Sequence, residues 1–301
     1  MNNKASITAL MSSFGRAFHA ENEKNPIFAD TKAKELMTDE EYQSIGSYIL
    51  GGIDFFAPEK KGTFASDEAA LRYLVNTQIA PTPLARARFC EDSLKTAMHT
   101  GTEQYVILGA GMDTFAFREP DFMRKYKVFE VDHPLTQADK KERIKMAALE
   151  ISDNLSYVPV DFSTDNLNEK LLVAGFDPSK KTFFSWLGVS YYLSLEQIEK
   201  MLDSVAGLSA EGSSLVFDYA DENLFRSDIK RVQNMIAMAA AGGEPMKTCF
   251  SYEQLEKLLE KHQFLIYELL TTEDIQENYF KGREDGLTAF EHISYVNAVI
   301  K

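Results

Sequence analysis

The chain has 301 residues and a formal net charge of −14, from 32 lysines and arginines against 46 aspartates and glutamates. This charge repels phosphate backbones, and no basic patch offsets it, so we expect no nucleic-acid partner. With 45% apolar and 26% charged residues, the composition is that of a soluble globular protein. No apolar run approaches the roughly 18 residues of a membrane span, and the amino terminus lacks a signal-peptide pattern. We therefore expect a cytoplasmic protein without membrane contact.

The two cysteines give no sign of a disulfide framework or a metal site. Cys90 and Cys249 lie far apart in sequence, with no CxxC motif and no Cys/His cluster. We expect both to be buried free thiols and predict no bound metal.

The first part of the chain has the pattern of short helices without strands. Apolar residues recur at helical spacing, between prolines and glycines, in the segments 7–19, 33–37 and 42–50. Pro81 and Pro83 then predict a break, followed by a helix at 84–99. We therefore expect residues 1–80 to form a helical cap and residues 81–301 to form a core domain.

From residue 104 onwards, short β-rich runs alternate with helical patterns, which indicates parallel βαβ units. Strands are predicted at 105–108, 127–131, 156–160, 182–185, 214–219, 264–270 and 293–300. Helices are predicted at 134–150, 167–174, 195–208, 222–240 and 252–261. The last two strands lack an intervening helix long enough for a parallel crossover, so they must pair antiparallel. The predicted fold is α/β, with a Rossmann-like, mostly parallel seven-stranded sheet whose last strand is antiparallel.

The most informative segment is 105–114, YVILGAGMDT, in which an apolar strand leads directly into Gly109 and Gly111. Such a turn lets a ligand approach the backbone at the carboxyl edge of a parallel sheet. A dinucleotide fingerprint needs a third glycine where this chain has Thr114, and Asp113 puts a negative charge where a pyrophosphate would lie. The turn therefore argues against NAD or FAD. It favours a ligand with cationic or hydrogen-donating groups, such as the amino end and sulfonium of S-adenosylmethionine.

Acidic residues follow the second and third strands. Asp132 lies 23 positions after the first turn glycine, where a carboxylate can accept both hydroxyls of a ribose. Glu130 shares its face of the strand and competes for the role, and a loop-capping Asp132 is a further alternative. We favour Asp132 as the ribose ligand because it lies nearer the sheet edge. After the third strand, Asp161 is either an acceptor for the adenine amino group, with Phe162 packing on the ring, or an ordinary cap.

These segments resemble the leucine carboxyl methyltransferase family, which includes bacterial polyketide carboxyl O-methyltransferases. The resemblance covers most of the chain and is carried by VILGAGMDT at 106–114 and FEVDHP at 129–134, with weaker matches at 16–19, 26–30 and 85–89. It implies a class I methyltransferase sheet with S-adenosylmethionine as cofactor. In the family, the arginine before the first strand holds the cofactor carboxylate. This maps best to Arg86, with Arg88 as competitor, and a guanidinium fork matches a carboxylate.

One position departs from the family pattern. Members usually end the fourth strand with Glu-Gly-x-x-x-Tyr-Leu, whereas this chain has Leu187 in place of the glutamate. That substitution leaves open how the methionine end of the cofactor is held. The wall is then apolar and aromatic, with Trp186, Tyr191 and Tyr192 lining a substrate pocket or facing the sulfonium. Ordinary core packing is the alternative for these aromatic residues.

The resemblance implies in-line O-methylation of a small-molecule carboxylate, or of a hydroxyl; a protein carboxyl terminus is the less favoured acceptor. A carboxylate is already ionised at neutral pH and needs no general base, and no histidine stands out by its spacing, so no catalytic residue is assigned. The segment 222–248 is a candidate lid over the acceptor pocket. The alternatives are an NAD-dependent Rossmann oxidoreductase and a catalytically silent S-adenosylmethionine-binding protein. The oligomeric state is not predicted.

Overall fold

The computed structural model describes residues 7–162 and 164–301. One mixed sheet contains the strands β1 Gln104–Leu108, β2 Lys127–Asp132, β3 Leu155–Pro159, β4 Thr182–Trp186, β5 Ser214–Ala220, β6 Phe264–Leu270 and β7 Ile293–Ile300. Their order is β3-β2-β1-β4-β5-β7-β6. Strands β1 to β5 pair in parallel, and β7 is antiparallel to both β5 and β6. The predicted sheet is confirmed, and each strand lies within about one residue of its predicted bounds.

The helices surround this sheet and also form the segment before it. Before β1 lie α1 Ile7–Asn22, α2 Asp39–Gly51, α3 Ile53–Phe56, α4 Asp67–Leu74 and α5 Pro81–His99. Between the later strands lie α6 Phe115–Arg118, α7 Pro120–Met123, α8 Pro134–Met146, α9 Leu167–Val173, α10 Leu195–Leu208, α11 Lys230–Ala241, α12 Tyr252–Lys261 and α13 Thr272–Ile275. Within the described ranges, none of these helices is long and apolar enough to cross a membrane.

Single irregular turns complete the helical structure. The 3₁₀ turns are Lys34–Leu36, Pro58–Lys60, Ser190–Tyr192 and Leu224–Arg226, and the π-helical turns are Val75–Ile79 and Gln276–Phe280. The segment 33–37 is therefore only a 3₁₀ turn, not the predicted helix. The π-helical turns were not predicted, because their hydrogen-bond pattern has no simple hydrophobic period.

Two helix starts differ from the sequence prediction. The expected break at Pro81 is instead the beginning of α5, because the first helical turn does not use the proline N–H. The helix predicted at 222–240 begins only at Lys230. The residues before it form local turns, in which the side chains of Asp221 and Ser227 accept backbone N–H groups.

The two faces of the sheet belong to two separate hydrophobic clusters. On β4, Phe183 packs with α1 and α5, whereas Phe184 and Trp186 pack with α9, α10 and α12. The first cluster extends to Phe14 of α1, so the segment before α5 shares a core with one face of the sheet.

The cysteines are both free. Cys90 is buried as predicted, with its Sγ 3.8 Å from the Tyr105 hydroxyl. The prediction is wrong for Cys249, which is only partly buried.

A buried ion cluster connects the amino-terminal segment to the glycine turn. The Asp30 side chain is 1% exposed and accepts hydrogen bonds from Arg16 Nε at 2.8 Å and from the Thr114 hydroxyl at 2.6 Å. Arg118 Nε lies 3.4 Å from the same carboxylate, and Arg16 also donates to the Met112 carbonyl at 2.7 Å. Burial alone would raise the pKa of Asp30, but the two guanidiniums outweigh it and hold that pKa below its usual value.

We expect Asp30→Ala to lower the free energy of unfolding by about 3–5 kcal/mol at pH 7, because it leaves buried guanidiniums without their carboxylate. Denaturant titration measures this change. As a control, Asp54→Ala removes an exposed partner of Lys61 and should have little effect. If both variants lose the same small amount of unfolding free energy, the Asp30 cluster does not stabilise the contact between the amino-terminal segment and the glycine turn.

The contribution of Asp30 to the free energy of unfolding should also depend on pH. Because the folded-state pKa is depressed, the stabilisation is complete above the unfolded pKa of about 4 and disappears as the pH falls through the folded value. The gap between wild type and Asp30→Ala should therefore shrink in acid.

Candidate functional site

A cavity of about 1050 Å³ lies at the carboxyl edge of β1, β2 and β4. The loop after β1 lines one side of it, and α1, α2, α5 and α11 contribute the rest of the wall. This is the edge at which parallel α/β sheets bind ligands, because the connecting loops diverge there.

The glycine turn after β1 is tight and its amides are already used. Gly109 and Gly111 have φ values of +70° and +49°, a region that favours glycine. The N–H groups of Gly109 and Ala110 donate to the Val131 carbonyl at 2.8 and 3.0 Å, and that of Gly111 donates to the Asp132 carboxylate. A pyrophosphate would need such amides free, so the turn does not suit a dinucleotide.

Asp132, at the end of β2, lines the cavity. Its carboxylate also accepts the His133 amide at 2.6 Å. Burial raises the pKa of Asp132, and the two amide donors oppose that effect. Glu130, the competing acid, is 1% exposed, does not line the cavity and pairs with Lys140 at 2.5 Å. Of these two acids, Asp132 is therefore the one that faces the cavity.

Arg86 is held against β5 by a buried carboxylate. Its Nη1 donates to Asp218 at 3.0 Å and to the Tyr191 hydroxyl at 3.1 Å, and Asp218 also accepts the Gly188 amide at 2.6 Å. Burial would lower the pKa of Arg86, but the fully buried Asp218 outweighs it and raises that pKa. Arg86 lines the cavity. Within the described residues 7–162 and 164–301, its Nε and Nη2 atoms have no hydrogen-bond partner.

The competing Arg88 points elsewhere. It pairs with Asp92 at 2.6 Å, is half exposed and does not line the cavity. Gly188 makes room for Arg86 instead: its φ is +73°, and a Cβ there would lie 2.6 Å from both Arg86 terminal nitrogens.

The three aromatic residues after β4 separate into two groups. Tyr191 and Tyr192 line the cavity, with ring centroids 4.7 Å apart at 79°. Trp186 is fully buried on the other face of the sheet, beside Phe217, and does not line the cavity. Trp186 thus takes the core position that was its alternative. Leu187, at the family's glutamate position, lines the cavity.

Of the remaining predicted residues, Asp113 and Phe162 line the cavity. The Asp113 carboxylate accepts the Phe115 amide at 2.8 Å. Asp161 lies just outside the lining, with its carboxylate 3.9 Å from His133 Nε2.

Sequence reasoning missed the residue that positions Arg86. Asp218 is an acid inside the apolar strand SLVFDYA, and a carboxylate in such a setting needs a cationic partner. The sequence therefore indicates that Asp218 needs a partner. It does not indicate that the partner is Arg86, 132 residues away.

The sequence of the chain is similar to that of a known protein family. A sequence model of the leucine carboxyl methyltransferase family matches residues 9–206. The chain belongs to the leucine carboxyl methyltransferase family. The family predicted from the glycine turn and the second strand is thereby confirmed.

Individual relatives agree with this membership. The protein YktD of Bacillus subtilis (strain 168), which bears the name of an S-adenosyl-L-methionine-dependent methyltransferase, is 45% identical over 302 residues, or 99% of each chain. A Mycobacterium ulcerans (strain Agy99) protein with the same class name is 30% identical over 237 residues, 78% of this chain and 71% of that protein.

Solved structures confirm the fold. A Thermobifida fusca YX protein described as a methyltransferase has a TM-score of 0.56 at 14% identity, covering 99% of this chain and 96% of that one. A DUF574 protein from Streptomyces avermitilis MA-4680 has a TM-score of 0.54 at 15% identity, covering 85% and 96%.

We expect Asp132→Ala to weaken S-adenosylmethionine binding by about 1–3 kcal/mol, because buried ligand hydroxyls would lose their acceptor. Isothermal titration measures the affinity. Glu130→Gln is the control: it should leave the affinity unchanged while destabilising the fold, because buried Lys140 loses its charged partner. Unchanged affinity in Asp132→Ala would remove Asp132 from the ribose role.

Proposed function

We propose that this methyltransferase transfers the methyl group to an oxygen atom, that of a small-molecule carboxylate, with a hydroxyl as the second candidate. The observation that carries the proposal is a cavity whose described lining holds a carboxylate and a guanidinium for the cofactor, while Asp30, Glu91 and Glu244 are already engaged by Arg16, Arg118 and Thr8. When bound, S-adenosylmethionine supplies an electrophilic methyl group on a positive sulfonium.

The cavity residues fit the two ends of this cofactor. Arg86, with two unused donor atoms, would bind the cofactor carboxylate, and Asp132 would accept the ribose hydroxyls. Asp113 would accept from the cofactor amino group. Phe162 would pack on the adenine ring, and Asp161 would accept from the adenine amino group. Leu187 adds only apolar contact, so in this proposal Asp113 takes the electrostatic role that the family glutamate otherwise fills.

The titratable groups of the cavity favour an acceptor that is already ionised. Burial raises the pKa of Tyr192 to about 12 and that of Tyr191 well above its usual value. Both phenols therefore stay protonated near pH 7 and cannot act as general bases. Glu91 is occupied by Arg118 at 2.5 Å. His133 Nδ1 accepts the Leu135 amide. A carboxylate needs none of these groups as a base.

With no base required, orientation and exclusion of water are the means of catalysis that remain to the chain. We propose that residues 1–80 act as a cap and 222–248 as a lid. Both segments contribute to the cavity lining, through residues of α1, α2 and α11. The oxidoreductase alternative is not favoured, because the turn amides that a pyrophosphate requires are already engaged.

The cofactor proposal has a matched test in two neighbouring arginines. Isothermal titration should show binding of S-adenosylmethionine and S-adenosylhomocysteine and none of NAD. Arg86→Lys should weaken both sulfur ligands about tenfold, because lysine keeps the charge but loses the fork, and Arg88→Lys should not. Binding of NAD alone would refute the assignment, and equal effects of the two substitutions would remove Arg86 from it.

Acceptor chemistry should appear in the pH profile. For a carboxylic acid acceptor, kcat/KM should be flat between about pH 6 and 9, since the acid ionises near pH 4 and its methylation needs no general base. A rate that rises tenfold per pH unit would instead indicate a hydroxyl acceptor. Tight cofactor binding with no transfer to any acid or alcohol would favour the silent binding protein.

A further inference from the structure

Two polar side chains on the cap side of the cavity lack hydrogen-bond partners within the described parts of the chain. Thr82 lies in the first turn of α5, and its Oγ1 is buried without a partner. Gln78 lies in the π-helical turn Val75–Ile79, which leads directly into α5, and no side-chain hydrogen bond is recorded for it. Both residues line the cavity. Thr82 Oγ1 is closed to solvent, so a ligand reaches it only when the side chain rotates towards the cavity. Pairing of this otherwise unpaired hydroxyl would then add binding energy.

These two residues lie beside the place assigned to the cofactor. Thr82 and Arg86 are four residues apart on the cavity face of α5, which corresponds to about 6 Å along the helix axis. Gln78 continues the same face towards the cap. Arg86 is assigned to the cofactor carboxylate, which a short aliphatic chain joins to the sulfonium. In the proposed arrangement, the donors at positions 78 and 82 lie on the acceptor side of the reacting methyl.

The same cavity is lined by several large, mainly apolar side chains. They are Met11, Ile45, Tyr48, Met235, Met238 and Phe290. Methionine side chains adapt to differently shaped apolar ligands. This part of the cavity therefore suits an acceptor with a hydrophobic body.

No lining cation remains for a second anionic group on the acceptor. Among the described lining residues there is no lysine. Arg16 donates to Asp30, Ser12 and the Met112 carbonyl, and Arg118 donates to Glu91 and Thr114. A dicarboxylate or a phosphate ester would bring a charge that no lysine and no unpaired arginine of the described lining neutralises.

We propose that the Gln78 amide and the Thr82 hydroxyl form the acceptor site and bind the carboxylate of a hydrophobic monocarboxylic acid. The inference rests on the proposed function and deepens it by naming the substrate class and two specificity residues. An acceptor oxygen forms the bond to the methyl carbon while the carbon–sulfur bond breaks. The electron pair of the broken bond stays on sulfur, giving a methyl ester and S-adenosylhomocysteine, and no proton moves.

Neutral donors suit this reaction better than an arginine would. The negative charge of the acceptor disappears as the methyl is transferred, so a cation at this position would stabilise the ground state more than the transition state. An amide and a hydroxyl orient the carboxylate and leave its charge on the attacking oxygen.

The test measures transfer from radiolabelled S-adenosylmethionine to straight-chain and arylalkyl monocarboxylic acids and to matched dicarboxylic acids. Wild type should prefer the monoacids. Thr82→Val and Gln78→Leu should each raise KM for the best acid about tenfold, the size expected for one hydrogen bond to a charged group. Thr82→Ser, which keeps the hydroxyl, should restore the wild-type KM. The dissociation constant of S-adenosylhomocysteine, measured by isothermal titration, should stay unchanged and serves as the check on folding.

The matched control is Thr96→Val, on the exposed side of the same helix, where Oγ1 donates to the Asp92 carbonyl at 3.1 Å. It should behave as wild type. Wild-type KM values in both Thr82→Val and Gln78→Leu would overturn the acceptor site and leave the proposed function standing. If wild type binds S-adenosylhomocysteine but methylates none of the acids, the proposed carboxylate acceptor fails and the inference fails with it.

Discussion

The cavity depends on the buried pair between Asp218 and Arg86. A carboxylate with no exposure, inside a mixed sheet, loses its hydration, and the penalty amounts to several kcal/mol unless hydrogen bonds replace it. Three donors do so: the guanidinium of α5, the Tyr191 hydroxyl and the Gly188 amide. The pair therefore fixes α5, β5 and the turn after β4 relative to one another. It also fixes the orientation of the guanidinium, and so of the two donor atoms available to a ligand.

Part of the negative charge of the chain is used in ion pairs within the cavity. The overall balance is −14, yet each arginine that lines the cavity is paired with at least one carboxylate, through Asp218, Asp30 or Glu91. These ion pairs lie beside the glycine turn and at β5, whereas the lining contributed by α2 and α11 is mainly apolar. The cavity thus has a polar half, suited to a zwitterionic cofactor with a ribose, and an apolar half with two neutral donors.

The sequence predicts the polar half better than the apolar half, for physical reasons. Strands and the Gly-x-Gly turn follow from local rules, namely alternation and positive φ, so the sheet, Gly109 and Asp132 could be placed without a structure. The Arg86 partner could not, because pairing across 132 residues leaves no local pattern. Trp186 and Tyr191 look equivalent in sequence, but the last residue of β4 faces one side of the sheet and the following 3₁₀ turn faces the other. The π-helical turn that carries Gln78 leaves no periodic signal either.

Family membership informs the two halves unequally. The match to the family ends at residue 206, so β5 with Asp218 and the helix α11 with its lining methionines lie beyond it. The solved structures that share the fold do so at 14–15% identity, which fixes the course of the sheet and not the side chains above it. The proposed cofactor residues Arg86, Gly109, Asp113 and Asp132 lie inside the matched range, and the fold itself positions the loops that carry most of them. The proposed acceptor site combines Gln78 and Thr82 with α11, which lies outside that range, so its chemistry has to be derived from this chain's own side chains.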